Sequence, residues 1–442
     1  MQIADCGLGN KECGTANIEL ATCHKSVHCS GNGREDLSRK YLVLLGDGMA
    51  DYPLTDLDGK TPLQAAKTPH LDRLAQKGIL GLVRTVPPGF PPGSDVANLS
   101  IFGYDPAIHF TGRAPLEAAS MGVQLTPGDV AFRCNLITLS WKEKRAFMED
   151  FSAGHISTEE AREIIADVGK HLGNQVFNFY PGVGYRHLLV WRNGEKSLAL
   201  KTTPPHDISG QEINGYTPAG DGEEEILGLM KAAGEILPDH PVNQARRQAG
   251  KKPANAIWLW GQGKAPALLP LTKRFGLVGS IISAVDLMKG IGFYAGLEII
   301  NVPGATGYLD TNYTGKAEYA LREIAKKDFV YVHVEAPDEA SHNGNLKEKI
   351  QAIEDFDGKI VGPILRGLQN YGDFRVLVLP DHPTPIALKT HSSEPVPFVL
   401  LTSEDAPKIL QENRSFDEVA AQKTGFFIER GHELMEKFIK GF

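Results

Sequence analysis

Three apolar stretches of this chain end in the same way, each in an acid or a histidine. YLVLLGDG delivers Asp47, FVYVHVEAPDEASH delivers Asp338 and His342, and RVLVLPDH delivers Asp381 and His382, with His391 close behind. Carboxylates bridge and neutralise divalent cations and imidazole suits the softer ones, so three Asp and three His on one rim could hold two ions of the Mn²⁺ or Zn²⁺ type. A pair of such ions serves phosphoryl transfer. A lone Asp after a strand is ordinarily a helix cap or turn residue. Here the pattern recurs at three separated places, and Asp338 and His342 stand four apart, able to share one helical face, which argues for a metal centre instead.

The elements that must position these residues follow from the same text. Each run is continuous, rich in β-branched residues and too short for a long helix, as expected of a parallel strand buried on both faces. Ligands of open α/β sheets gather at the carboxyl ends of such strands. From Tyr41 onward strand and helix alternate: YLVLLGDG, a helix over Thr68–Lys77 announced by Thr-Pro, then GLVRTV. The loop PPGFPPGS hands over to a helix beginning around Asp95 and running to Phe102, which places Ser94 at a helix N-terminus. Backbone amides and the positive dipole end there favour a phosphoryl group and a serine alkoxide.

Residues 113–269 change character. VAFRCNLITL, FNFY, GYRHLLVW and KSLALK predict short strands, with helices over Thr158–His171 and Glu223–Ile236, a separate α+β unit. After Phe275 the α/β rhythm resumes through LEIINV, FVYVHV, RVLVLP and PVPFVLL. Asp47 and Ser94 precede the middle stretch and the other ligands follow it. If they share one site, residues 39–112 and 270–442 form one domain, a doubly wound and mostly parallel α/β sheet, and 113–269 is a smaller α+β domain inserted on two hinges.

A chain of 442 residues, 42% hydrophobic, can bury a large core. Its net charge of -8 argues against nucleic acid or an acidic membrane as the main partner, while a local basic pocket for a phosphorylated small molecule stays compatible with it. No apolar stretch reaches the roughly 18 residues of a membrane helix. The N-terminal region lacks an apolar core of signal-peptide type, so the expected address is the cytoplasm. Cys6, Cys13, Cys23 and Cys29 sit in a polar, Gly-rich opening segment, and Cys134 is the only other cysteine. Their spacing matches no common structural-zinc pattern, so residues 1–38 are read as a flexible extension rather than a zinc knuckle.

Nucleotide cradles are unsupported. Gly59-Lys60-Thr61 ends like a Walker A loop, but Leu54 stands where the first glycine is needed, and Gly263-Lys264 fails the same test. No G-x-G-x-x-G follows a strand and no nucleophile elbow is present. A metal-activated serine nucleophile fits what remains.

LLGDGMAD, PPGSDVANLSIFGYDP, TGRAPLEA, VAFRCNL, GATGYLDTNY, HVEAPDEASHNG, PDHPTPI and THSSEPVPF together resemble the archaeal-type, cofactor-independent phosphoglycerate mutases of the alkaline phosphatase superfamily, from about Lys40 to the C-terminus. The resemblance implies an alkaline phosphatase-like fold and a glycolytic isomerase acting on phosphoglycerate. It also implies a phosphoserine intermediate and two divalent ions, Mn first with Zn, Co or Mg as alternatives, and no bisphosphoglycerate cofactor. Ser94 then matches the nucleophile and also touches a metal. Asp338, His342 and His391 resemble the ligands of one ion, Asp47, Asp381 and His382 those of the other, and Lys289 in DLMKGIG the lysine at the phosphoryl group.

In the inserted stretch Arg113, Arg133, Arg186, His187, His206 and Asp207 are the polar candidates for substrate. A sugar-acid phosphate needs guanidinium clamps and a proton carrier, which arginines and a His-Asp pair provide. One stretch departs from the family: WLWGQGKAP carries Gly261, Gln262 and Lys264 where mutases commonly place arginines. Lysine does not reproduce a bidentate fork. Lys264 is then the remaining cation for substrate there, and a metal-dependent phosphotransferase of the proposed homoserine kinase type is the alternative.

Overall fold

In the computed structural model, which describes residues 39–406 and 414–442, thirteen strands are found among the described residues. In chain order they are β1 (Lys40–Gly46), β2 (Ile79–Val83), β3 (Val130–Lys142), β4 (Arg145–Asp150), β5 (Phe177–Val183), β6 (Arg186–Trp191), β7 (Ala256–Gly263), β8 (Gly279–Ile282), β9 (Glu298–Ile300), β10 (Phe329–Val334), β11 (Phe374–Leu379), β12 (Val396–Thr402) and β13 (Phe427–Ile428). The N-terminal extension and its four cysteines lie outside the described residues.

The continuous apolar run of β1 demands a neighbour on each edge and cover on each face. Both are supplied by strands far along the chain: β1 is parallel to β10 and to β11, with Leu44 opposite Val332 on one side and Val378 on the other. The full order is β13-β2-β12-β11-β1-β10-β8-β9. Leu42, Leu44, Val330, Val332, Val376 and Val378 face one apolar layer, and Val43, Leu45, Tyr331, Leu377 and Leu379 the other. This alternation is the period-2 signature of a sheet covered on both sides. The sheet is mixed rather than purely parallel, because β12 runs antiparallel to β11 and β2. The chain between β11 and β12 contains no helix to carry a parallel crossover.

A second, antiparallel sheet spans residues 130–263, with order β4-β3-β6-β5 and β7 paired to the other edge of β3. The helix Thr158–Leu172 packs on it through Ala161, Ile164, Ile165 and Val168, an i, i+3, i+4, i+7 stripe, and opens with a capping box between Ser157 and Glu160. The helix Glu223–Ile236 covers the same core.

One strand expected from the sequence is absent, and one not expected is present. KSLALK is not a strand: Glu195–Ala199 is a 3₁₀ turn, in which Ser197 Oγ donates to Gly194 O at 2.7 Å, a side-chain bond that competes with a ladder. WLWGQG, read only for its missing arginines, is strand β7. The connections into and out of the second sheet touch each other. A Cβ on Gly112 (φ +124°) would lie 2.1 Å from Gln262 O, and Thr111 Oγ1 donates to Lys264 O at 2.6 Å. Only glycine permits that approach and that backbone angle.

Candidate active site and metal centre

Asp47 is the first residue past β1, and its amide still donates to Val334 O at 2.9 Å, so the sheet itself fixes where its carboxylate emerges. Asp338 and His342 occupy the short helix Ala336–His342 that follows β10. Asp381 and His382 follow β11, and His391 returns on the irregular connection to β12. All six Asp and His candidates thus come from the segments that follow the three central strands β1, β10 and β11.

Their side chains meet. His342 Nε2 lies 3.1 Å from Asp338 Oδ2 and 3.0 Å from His391 Nε2, and His391 Nε2 is 3.6 Å from Asp338 Oδ1. His382 Nε2 lies 3.6 Å from Asp47 Oδ1 and 3.4 Å from Asp381 Oδ2. Ser94 Oγ completes the group at 3.1 Å from His382 Nε2 and 3.4 Å from Asp47 Oδ2. Ser94 opens the helix Ser94–Ile101 as the sequence predicts. Asn98, one turn on, donates to Ser94 O and Asp381 Oδ2, both at 2.9 Å, and accepts from Tyr331 Oη at 2.6 Å. This buried bridge ties the serine-bearing helix to the Asp381 loop.

Beneath the cluster Lys349, fully buried, donates to Asp51 Oδ2 at 2.8 Å, Thr384 O at 2.9 Å and Ala50 O at 3.3 Å. One ammonium therefore pins the loop after β1 to the loop after β11, the two loops that carry Asp47 and Asp381.

The residues fit divalent cations by their own chemistry. Asp47, Asp338 and Asp381 are buried together. Burial, with Asp381, Glu335 and Asp338 nearby, pushes the Asp47 carboxyl well above its usual range. Burial and Asp338 raise Glu335 to about 8. Asp338 is the exception: burial would raise it, but its hydrogen bonds with His342 and His391 hold it well below the ordinary value. Packed carboxylates of this kind call for positive charge. Asp47 Oδ1 is buried without a hydrogen bond, and two imidazole Nε2 atoms face each other at 3.0 Å. Donor atoms of Asp338, His382 and His391 lie within 4.8 Å of one another, as do those of Asp47, Asp381 and His382, so His382 is the shared corner of two candidate sites. A mixed N/O donor set suits Mn, Zn or Co.

A cavity of about 430 Å³ reaches toward this cluster at Glu335 and Glu339, lined by strands of the second sheet and by loops and helices that follow β8 and β10; the metal-ligand candidates and Ser94 are not in its lining. Four of the predicted substrate or phosphoryl contacts share its wall as cations, Arg113, Arg133, Arg186 and Lys289, and His187 is there too. Glu117 holds two of the arginines, Arg133 Nε at 3.0 Å and Arg113 Nε at 3.5 Å. His187 accepts Gly182 N–H on Nδ1 at 3.0 Å, and its Nε2 is buried without a partner. Burial draws this imidazole down to about 3, so it stays neutral. The structure does not bring every candidate there. His206 and Asp207 stand on the 3₁₀ turn Pro205–Ile208, outside the lining, with the His206 ring 5.5 Å from that of Trp260. Lys264 is exposed and also outside the lining, and Gln262 turns away to bond Thr202 and Leu200 O.

Sequence reasoning missed Glu117, Glu335 and His333. Glu335 lines the cavity, and its Oε2 lies 3.6 Å from His333 Nε2, which reaches Asp47 Oδ2 at 2.9 Å. A signal existed for His333: it is the one polar side chain in the otherwise apolar FVYVHV, apart from the tyrosine hydroxyl.

Comparisons with known proteins agree with one another. A family model described as 2,3-bisphosphoglycerate-independent phosphoglycerate mutase matches residues 75–243. A probable 2,3-bisphosphoglycerate-independent phosphoglycerate mutase of Geobacter sulfurreducens is 55% identical over 403 residues, covering 90% of this chain and 99% of the relative. The enzyme of that name from Methanosarcina acetivorans is 52% identical over 402 residues, covering 91% and 100%. Among solved structures, a Pyrococcus horikoshii protein superposes with a TM-score of 0.75 at 30% identity, covering 91% of this chain and 97% of that one. The cofactor-independent phosphoglycerate mutase of Thermoplasma acidophilum gives 0.61 at 27%, covering 91% and 99%.

Proposed function

This chain belongs to the 2,3-bisphosphoglycerate-independent phosphoglycerate mutases, and on that premise we propose that it interconverts 3-phosphoglycerate and 2-phosphoglycerate through a phosphoserine at Ser94. The observation that carries the reading is the position of Ser94 Oγ, 3.1 Å from His382 Nε2 and 3.4 Å from Asp47 Oδ2, in a cluster that Glu335 and His333 connect to a cavity walled by four cations. The Geobacter and Methanosarcina relatives, at 55% and 52% identity, bear the mutase name, which favours this reaction over transfer to a homoserine-type acceptor.

The reaction asks four things of these residues. The substrate carboxylate and phosphate need planar donors, and Arg113, Arg133 and Arg186 offer guanidinium forks. The phosphoryl group needs charge compensation as it approaches Ser94, and Lys289 together with the amides at the start of the helix Ser94–Ile101 provides it. Asp338, His342 and His391 would hold one divalent ion and Asp47, Asp381 and His382 the other, Mn²⁺ in our reading, which supply charge neutralisation and a lowered serine pKa. Ser94 Oγ then forms its bond to phosphorus as the bond to the 3-hydroxyl oxygen breaks, and the glycerate hydroxyl takes a proton, for which His206 with Asp207 is the proposed carrier once residues 113–269 close over the substrate, the pair standing outside the cavity lining in this structure. The retained glycerate turns and takes the group back on its 2-hydroxyl.

Retention requires a dry site, because water reaching the phosphoserine would make the enzyme a phosphatase. We assign that task to residues 113–269, acting as a substrate-binding unit against the metal-bearing sheet. No helix among the described residues is long and apolar enough to cross a membrane, and a cytoplasmic, glycolytic role belongs to the same proposal. The test is direct. Purified, Mn²⁺-loaded protein given 3-phosphoglycerate, without bisphosphoglycerate or nucleotide, should yield 2-phosphoglycerate by ³¹P NMR. No 2-phosphoglycerate, with phosphohomoserine formed from homoserine and a phosphate donor, would overturn the assignment.

A further inference from the structure

His333 is fully buried in β10, yet it belongs to neither predicted ligand set and does not line the cavity. Both of its ring nitrogens are engaged. Nδ1 lies 3.2 Å from Ser283 Oγ, and Nε2 lies 2.9 Å from Asp47 Oδ2. Ser283 Oγ already accepts the Val285 amide at 3.0 Å, so its own proton is available for Nδ1. A hydroxyl proton given to Nδ1 leaves the ring proton on Nε2, facing a carboxylate oxygen. Every bond in the series Val285 N–H, Ser283 O–H, His333 Nε2–H, Asp47 Oδ2 then has one donor and one acceptor. The other tautomer would set an imidazole lone pair against a carboxylate oxygen at 2.9 Å.

We propose that His333 is a positioning residue of the metal centre, which donates Nε2–H to Asp47 Oδ2 and leaves Oδ1 as the single atom by which Asp47 binds its ion. Oδ1 is the oxygen of that carboxylate which is buried without a hydrogen bond, and it lies 3.6 Å from Nε2 of His382, a neighbouring predicted ligand. The His333 backbone is itself anchored, since Lys316 Nζ donates to its carbonyl at 2.9 Å. Partners that orient a ligating side chain in this way typically affect metal affinity 10–100-fold. The inference rests on Asp47 holding an ion, as proposed above, and not on which phosphoester is the substrate.

The same atoms allow one competing arrangement. Donor atoms of Asp47, His333 and Glu335 lie within 4.8 Å of one another, so His333 could instead ligate a third ion through a bare Nε2. The two arrangements differ in stoichiometry and in the ring proton. Metal analysis of the Mn²⁺-loaded protein should give two ions per chain for the wild type and for His333→Gln, whose amide keeps a donor near Nε2. His333→Leu should weaken one of the two ions about 10–100-fold by competition with a chelator, and His333→Gln should recover most of that loss. Ser283→Ala, which leaves the imidazole in place but removes its orienting hydroxyl, should weaken the same ion about 3–10-fold. In histidine-labelled diamagnetic Zn²⁺ protein, the ¹⁵N signal lost in His333→Gln should show the proton on Nε2. Three ions falling to two in the variants, a proton on Nδ1, or unchanged affinity in folded His333→Leu and Ser283→Ala would each overturn the proposal. If His333→Leu does not fold, Ser283→Ala and the ¹⁵N spectrum decide. A wild type that binds no ion would instead defeat the reading of the metal centre itself.

Discussion

The guanidinium carbon of Arg133 lies 4.3 Å from the ring centroid of Trp260, while its Nε bonds Glu117 Oε2 at 3.0 Å. One side of the fork is therefore spent on holding the residue still, and its terminal nitrogens are left for the cavity. Burial draws this guanidinium down to about 10, Glu117 opposing and Arg113 and Arg186 adding to the fall, a sign that the wall is short of negative charge until an anion arrives. Arg133→Lys should raise KM for 3-phosphoglycerate by roughly 10–100-fold, since a lysine can neither stack on the indole nor make paired bonds to an oxyanion. Steady-state kinetics check this, and an unchanged KM would place the substrate elsewhere.

Removing the nucleophile gives a sharper result. Ser94→Ala should lower kcat by at least ~10³-fold while the protein retains its fold and its ions, because Asp47, Asp381 and His382 remain. Mass spectrometry of acid-quenched wild type should find phosphate on Ser94. Phosphate on any other residue refutes the mechanism.

Chelation should abolish activity, and Mn²⁺, Co²⁺ or Zn²⁺ should restore it. The stripped protein should also melt lower than the loaded one, since Asp47, Asp338 and Asp381 are buried side by side. Calorimetry at fixed pH with and without metal measures the difference, and full activity in demonstrably metal-free protein contradicts the assignment.

How much of this was legible in the sequence can be judged residue by residue. The convergence of Asp47, Asp338, His342, Asp381, His382 and His391 was legible because each candidate follows the end of an apolar strand, and strand ends of a parallel sheet share a rim. His333 lacked that signature, since a buried polar group inside a strand is read from its partners and not from its spacing, whereas Glu335, the first residue past β10, carries it and is overshadowed by the Asp338 and His342 pair. Lys264, read as the remaining cation for substrate in WLWGQGKAP, is exposed and outside the cavity lining, and Gln262 beside it accepts from Thr202 Oγ1 at 2.8 Å and donates to Leu200 O. KSLALK misled, because alternation over so few residues cannot outweigh one serine bonding the carbonyl of Gly194, three residues back.

Gln262→Arg follows from that correction. An arginine there cannot keep both bonds, so the variant should lose about 1–2 kcal/mol of stability, seen in denaturant titration, with no gain in kcat/KM. Improved catalysis at unchanged stability would show that the side chain reaches substrate after all.

Lys349 offers a test of the scaffold. Lys349→Met leaves Asp51 buried without its cation and should cost about 3–5 kcal/mol, whereas the double variant with Asp51→Asn should recover part of the loss. A cycle with no coupling between the two sites would mean the ammonium is held for another reason.

The pairing of β1 with β10 and β11 bears on how the chain is made. The ribosome releases β1 early, yet both strands that flank it come from residues 329–379. Residues 130–263 contain all the partners of their own sheet and emerge in between. During synthesis the run Tyr41–Leu45 must therefore wait, apolar and unpaired, for tens of seconds at ordinary translation rates, while the later-made sheet is already free to close. A nascent chain stalled near residue 300 should accordingly resist protease across 130–263 and remain open to it, or held by a chaperone, at its first strand.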